Sequence, residues 1–208
     1  MLAVCLACLF LVTNFAAATS EGKDERYTYN QMCIVDGKLQ VLNGFDCREQ
    51  IAAAKWRNSV NASGWTFLEI ETQSKFDPEL QAYAAGYLEG VLSREVLRMH
   101  IENAIADYCK NFTQYCERMT DFLKENQKFI KDKIDTTARD DVNRTYHQLT
   151  GLIAGYEGRE ITPGITYEIH PILLLNWNGD FYDLEKKLNK TRDPVLDQLG
   201  GRCSGLIK

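Results

Sequence analysis

The stretch Asp77-Pro78-Glu79-Leu80-Gln81-Ala82-Tyr83-Ala84-Ala85-Gly86-Tyr87-Leu88-Glu89-Gly90-Val91 marks where the 208-residue chain turns from strand-like to helical patterning. Asp77 is placed to cap a helix, Pro78 suits the first helical position because its missing N–H is not needed there, and Glu79 follows in the first turn. Leu80, Tyr83, Ala84, Tyr87, Leu88 and Val91 then recur at helical spacing, so the Tyr83 and Tyr87 stripe belongs to a core. Ser93 reads as a second cap, opening a further helix over 94–109 with Leu97, Ile101, Ala104, Ile105 and Tyr108 on one side. Met119, Phe122, Leu123, Phe129 and Ile130 give 116–134 the same character, and 140–156 forms another helix that ends near Gly155 and Gly158. Residues 161–167 read as extended. Pro171–Trp177 is an apolar turn or short helix, Asn178-Gly179 breaks it, and Asp180 caps a last short helix ending at Leu188.

Before Asp77 the period is two. Residues 27–35 and 38–42 are separated by Asp36-Gly37, a pair that supplies positive φ at both centres of a type I′ turn, so a hairpin is expected. Ala52, Ala54, Trp56 and Val60 alternate with Lys55, Arg57 and Ser59, and Trp65, Phe67 and Ile70 continue the pattern over 64–72. These form a second hairpin joined by Asn61-Ala62-Ser63-Gly64, although Ala52 to Ala54 equally allow a helix to begin there. Strands first and a helical layer after them give an α+β order.

Composition narrows the class. With 45% apolar and 11% aromatic residues the chain carries enough material for a core, and a formal charge of −5 with both signs interspersed leaves no electrostatic footprint for nucleic acid. Only 4 prolines and 14 glycines, with no short-period repeat, set aside collagen-like, linker and solenoid readings in favour of one domain.

The first eighteen residues stand apart. Met1 to Ala18 is uncharged and apolar, and it closes on Ala16-Ala17-Ala18, whose small residues at 16 and 18 suit signal peptidase. Its strongly apolar part, Leu2 to Val12, is shorter than the roughly 20 residues needed to span a bilayer, so residues 1–18 are read as a secretory signal and 19–208 as the mature chain. No second stretch has spanning length, which places the product in a secreted or lysosomal lumen. Four sequons agree with that compartment: Asn61-Ala62-Ser63, Asn111-Phe112-Thr113, Asn143-Arg144-Thr145 and Asn189-Lys190-Thr191. After the signal is removed, Cys33, Cys47, Cys109, Cys116 and Cys203 remain, an odd number. Cys109 and Cys116 close a short loop easily, and Cys33 and Cys47 flank the first hairpin and can pair across it. Cys203 is left over, either as a free thiol or as a buried or intermolecular one.

Common catalytic signatures are missing: there is no G-x-S-x-G, P-loop, H-E-x-x-H or C-x-x-C in the mature chain, and no metal or cofactor is expected. His100, His147 and His170 are scattered and read as structural or surface residues, and Glu89 in its apolar turn reads as structural. Several segments nevertheless resemble a family. Gly64-Trp65-Thr66-Phe67-Leu68-Glu69-Ile70, the run from Leu80 to Gly90, His100 with Asn103, Tyr156-Glu157-Gly158 and Cys203-Ser204-Gly205-Leu206-Ile207-Lys208 are similar, in this order, to the phospholipase B-like (lamina ancestor) proteins.

That resemblance implies a partial αββα N-terminal nucleophile hydrolase sandwich, in which the two hairpins and the helical layer are present and the remaining strands are missing. It also implies acyl hydrolysis of phospholipids or amide-linked lipids, with the rest of the precursor beyond Lys208 as a partner. The family cuts itself to expose an N-terminal cysteine, and Cys203 matches that position, which makes Arg202-Cys203 the expected scissile pair. One residue would then supply both nucleophile and base, since a free α-amine has a pKa of roughly 7.7 to 8.0 and can accept the thiol proton. The alternative is a secreted, non-catalytic, disulfide-bonded module whose amphipathic helices enclose a lipid or protein partner.

Overall fold

The structure, a computed structural model, describes residues 26–44, 47–133 and 139–190. Four strands, β1 (Thr28–Val35), β2 (Lys38–Asn43), β3 (Gln50–Ser59) and β4 (Trp65–Thr72), form one antiparallel sheet in the order β2-β1-β3-β4. Asp36 and Gly37 both adopt positive φ, 51° and 73°, as the I′ reading requires. The second hairpin turns through a single helical turn, α1 (Val60–Ser63), closed by Gly64 at φ 79°. Ala52 to Ala54 lie within β3 rather than starting a helix. Their poor strand propensity is overridden by what covers them: Ala52 and Ala54 are buried against Tyr83, Ala84, Tyr87 and Leu88, and larger side chains would hold that helix off the sheet.

The covering element is α2 (Pro78–Ala104), which the cap starts as expected: one Asp77 carboxylate oxygen accepts from the backbone N–H groups of Glu79 (3.0 Å) and Leu80 (3.3 Å). The expected restart at Ser93 does not occur, and the helix runs on unbroken for 27 residues. The Ser93 hydroxyl donates to the Glu89 carbonyl at 2.6 Å, which satisfies it inside the helix and leaves it no capping role. The helix also stops earlier than its periodicity predicts. From Ile105 the chain makes successive turns that lead into the Cys109–Cys116 disulfide, whose closure is incompatible with a continuing rod.

Three longer or shorter helices complete the layer: α3 (Thr113–Lys133), α4 (Arg139–Glu157) and α5 (Pro171–Trp177), followed by α6 (Phe181–Lys187). Residues 161–167 are irregular and join no strand of the described sheet; their amides are held instead by side chains, Thr162 N–H by the Tyr83 hydroxyl (3.1 Å) and Thr166 N–H by the Thr150 hydroxyl (3.0 Å). Two cores result. One lies between the sheet and α2 with α4 alongside, and gathers Met32, Ile51, Ala52, Ala54, Tyr83, Leu88 and Ala154. The other belongs to the later helices and gathers Tyr115, Met119 and Leu123 of α3 with Phe181 of α6. The sheet face opposite α2 carries a Lys55–Glu69 ion pair (2.7 Å), Arg57 over the Phe67 and Tyr27 rings (4.6 and 4.9 Å) and Trp65, which is 70% exposed.

Candidate functional site

The run from Leu80 to Gly90, the longest of the segments singled out above, is built around a close approach of two helices. A Cβ placed on Gly86 of α2 would stand 1.9 Å from the Gln148 carbonyl oxygen of α4, and one on Gly90 would stand 2.2 Å from that of Leu152. The relation is reciprocal, because Gly151 and Gly155 of α4 would meet the Tyr83 and Tyr87 carbonyls, each at 2.1 Å. Two glycine pairs, each spaced by four residues, therefore bring the backbones into contact on one helix face each. Tyr83 and Tyr87 flank that seam. The Tyr87 hydroxyl donates to the Arg159 carbonyl (2.8 Å), Tyr83 accepts from Thr162, and burial pushes both phenols above their ordinary pKa. Glu89, on the same helix, has its carboxyl pushed up by burial, against which a hydrogen bond from the Gln148 side chain works only in part.

At the end of α4 a second polar group ties this seam to α5. His170 Nδ1 accepts from the Ile172 N–H (3.1 Å), capping α5, so the ring proton sits on Nε2 and donates to Glu157 at 2.9 Å. Glu157 also meets Arg159, which in turn pairs with Glu168 at 2.7 Å. The His170 hydrogen bond, with Arg159 second, holds the Glu157 carboxyl below the usual range. His147 Nδ1 donates to the Asn143 carbonyl of its own helix (2.9 Å), and His100 is exposed on α2. His147 and His170 thus serve the backbone of a helix and a helix cap, and His100 lies at the surface.

The second core holds a buried charge pair that the sequence reading missed. Lys190 and Glu185, with side chains 8% and 4% exposed, meet at 3.0 Å. The Lys190 ammonium lies over the rings of Tyr108 (3.8 Å), Phe112 (4.7 Å) and Tyr115 (5.0 Å), and the Tyr108 hydroxyl donates to Glu185 at 2.8 Å. Burial lowers the Lys190 pKa. The only advance signal was local: Glu185 and Lys190 are five apart near a helix end, which by itself says nothing about burial.

A cavity of about 400 Å³ opens over the sheet face away from α2, lined among others by Tyr29, Gln31, Lys55, Glu69 and Glu71. Gln31 is 3% exposed; its amide donates to the Gly44 carbonyl while its buried Oε1 has no protein partner. Among the described residues no group of three His, Cys, Asp or Glu side chains could hold a metal ion, and no helix is long and apolar enough to cross a membrane.

The expected Cys109–Cys116 bridge is present, and Cys33 and Cys47, for which the sequence only permits a pairing, are bridged as well. Cys33–Cys47 spans a Cα separation of 6.1 Å and Cys109–Cys116 one of 5.8 Å. Of the sequon asparagines, Asn61 lies in α1, Asn143 in α4, and Asn111 and Asn189 in turns with φ of 65° and 53°. Residues 1–18, Arg202 and Cys203 lie outside the described residues.

A family model described as Phospholipase B matches residues 52–208, an interval that takes in most of β3, the glycine-paired helices and Cys203. The chain is 65% identical over 205 residues to "Putative phospholipase B-like 2" of Caenorhabditis elegans, covering 96% of this chain and 35% of that protein. It is 37% identical over 188 residues to the Homo sapiens protein of the same name (86% and 30%), and 30% identical over 192 residues to "Phospholipase B-like protein C" of Dictyostelium discoideum (87% and 34%). The chain thus spans about a third of the length of these curated relatives. With the helix pair and the cysteine-bearing end both inside the matched interval, the chain belongs to the phospholipase B-like family.

Proposed function

We propose that this segment is the N-terminal part of a lipid acyl hydrolase, acting on ester or amide bonds, whose nucleophile is Cys203. The carrying observation is the cysteine assignment. The two bridges use Cys33, Cys47, Cys109 and Cys116, so Cys203 is the one mature-chain cysteine outside them. The family match extending through residue 208 supports the same reading, as does the structural employment of His147 and His170.

In the proposed maturation the Cys203 thiol adds to the Arg202 carbonyl carbon and the Arg202–Cys203 C–N bond breaks, which frees the Cys203 α-amine. Water then cleaves the thioester to an Arg202 carboxylate and restores the thiol. Gly200-Gly201 just upstream gives the backbone freedom for that approach. The amine afterwards accepts the thiol proton as the sulfur attacks a lipid acyl carbon. The sheet face away from α2, which no described helix covers, offers with its cavity and exposed Trp65 a seat for the further strands of an αββα sandwich. Secretion with removal of residues 1–18 belongs to the same proposal.

A complete precursor carrying this segment, expressed with Cys203→Ala and Cys203→Ser, tests it. The alanine variant is expected to stay uncut and inactive, and the serine variant to cut slowly. Wild-type cleavage before residue 203 in the alanine variant would remove Cys203 from the mechanism. A Cys203 found bridged to another chain would favour the non-catalytic module.

A further inference from the structure

We infer that the four sequons are not equivalent: Asn111 and Asn189 carry a pair of N-linked glycans on one rim of the helical lobe, and Asn143 stays bare. This rests on the secretory reading above.

A glycan acceptor belongs on a surface loop, where the asparagine amide is open and the chain around it is not committed to a helix. Asn111 and Asn189 meet that condition in the same way. Both are exposed, and both hold the left-handed turn conformation that asparagine tolerates better than most residues. They come from opposite ends of the helical lobe yet border one cavity of about 390 Å³, together with Phe112, Tyr115, Arg118 and Lys190. The middle residues of the two sequons touch, Lys190 Nζ lying 4.7 Å from the centre of the Phe112 ring. Arg118 fixes the second site to the first by donating to the Leu188 and Asn189 carbonyls at 3.0 and 3.3 Å. While the middle residues turn inward to form the floor, both asparagines stay at the rim. Two glycans there would cover the same opening.

Asn143 differs in each respect. It lies within α4 and is only partly exposed, and its amide nitrogen donates to the Glu79 carboxylate in the first turn of α2 at 2.7 Å. The hydroxyl of its sequon partner Thr145 is bonded back to the Asp141 carbonyl at 2.8 Å, as in any helix-embedded threonine. A sugar attached to that nitrogen would stand between the first turns of α2 and α4. Immediately beyond, those helices approach until their backbones touch at Gly86 and Gly151. Chains glycosylated at Asn143 would therefore fail to close this helix pair, and the folded, exported population would lack them.

The complete precursor, secreted from a eukaryotic host, is digested with peptide N-glycosidase and mapped for the deamidation that marks each formerly occupied asparagine. The expected result is a mark on Asn111 and on Asn189 and none on Asn143. On gels, Thr113→Ala and Thr191→Ala are each expected to speed migration by one glycan step, and Thr145→Ala by none. A mark on Asn143, or a bare Asn111 or Asn189 beside a marked partner, overturns the inference. Bare Asn111 and Asn189 on the secreted protein overturn it too, whereas failure of the precursor to leave the host cell with residues 1–18 removed overturns the secretory reading itself.

Discussion

Where α2 meets α4 the chain removes side chains, and where α3 and the turns before it meet α6 it fills the space with rings. At the first contact four glycines let carbonyl oxygens sit where a methyl group would otherwise be. At the second, Tyr108 stacks on Phe181 with ring centres 4.6 Å apart, and a lysine–glutamate pair and a disulfide close the edge. The difference lies in what each contact can tolerate. Packed side chains relax by changing rotamer, but two backbones in contact have nothing to rotate, so the glycine seam should fail abruptly and the aromatic lobe by degrees.

The hardest test of that contrast is Gly86→Ala. Alanine is the better helix former by about 1 kcal/mol, so an isolated helix would gain. Here the added methyl meets the Gln148 carbonyl at 1.9 Å, and a net loss of about 4 kcal/mol or outright failure to accumulate is expected in urea denaturation. A variant as stable as wild type would break the comparison. In the lobe, Lys190→Met should cost about 3 kcal/mol, because it removes the cation that balances the buried Glu185 carboxylate. The double variant Lys190→Met with Glu185→Gln should recover most of that, which no second change can do at Gly86. Replacing Cys109 and Cys116 together by serine should cost about 2 kcal/mol, the loop-closure value for so short a ring, and should leave the sheet intact by circular dichroism.

The smallest effect concerns charge at the seam. Because burial raises the Glu89 pKa above its ordinary 4.5, the unfolded chain ionises first as pH rises through that value, and ionisation then works against the fold. Glu89→Gln should raise the thermal midpoint at neutral pH, with the gain shrinking to nothing below about pH 4, where the wild-type carboxyl is protonated in both states. Glu157 has the opposite sign. Its carboxyl is held low by His170 and Arg159, so its contribution is present above the ordinary carboxylate range and is lost as pH falls through its depressed folded value. Glu157→Gln should thus lower the midpoint at neutral pH and matter little in strong acid.

Features set by neighbouring residues were legible in the sequence. Asp36-Gly37 specified a turn, Asp77-Pro78 specified a helix start, and the spacing of Cys109 and Cys116 specified a bridge, because each is a short-range constraint on the backbone. Ser93 misled because a capping residue and a mid-helix serine look alike until the Glu89 carbonyl is known to lie within reach. The sequence pattern places Gly155 with Gly158 at a helix end, and Gly158 does take a positive φ of 70° just after α4. Gly155 instead faces Tyr87, a role that depends on a helix more than sixty residues earlier and so leaves no local trace. Lys190 was opaque for the same reason, since Tyr108 and Tyr115 reach it only through the tertiary fold. Cys203 drew attention through resemblance to a family and the cysteine count, whereas the residues around it offered only the glycine pair Gly200-Gly201.

A seam made of glycines has no teeth. With two glycines on each rod, however, sliding by a turn of about 5.4 Å would bring Ala82 or Arg94 of α2 against an α4 carbonyl. Long side chains act as further detents at the end of the track. Arg94 reaches across to the Gly155 carbonyl at 2.8 Å, Tyr87 to that of Arg159, and Tyr83 to the Thr162 amide. Axial position in this helix pair is therefore set twice, by the glycine pairs and by hydrogen bonds beside the seam, that of Asn143 to Glu79 among them. Removing the Arg94 guanidinium and the two phenolic hydroxyls together would loosen that restraint without opening an adjacent setting.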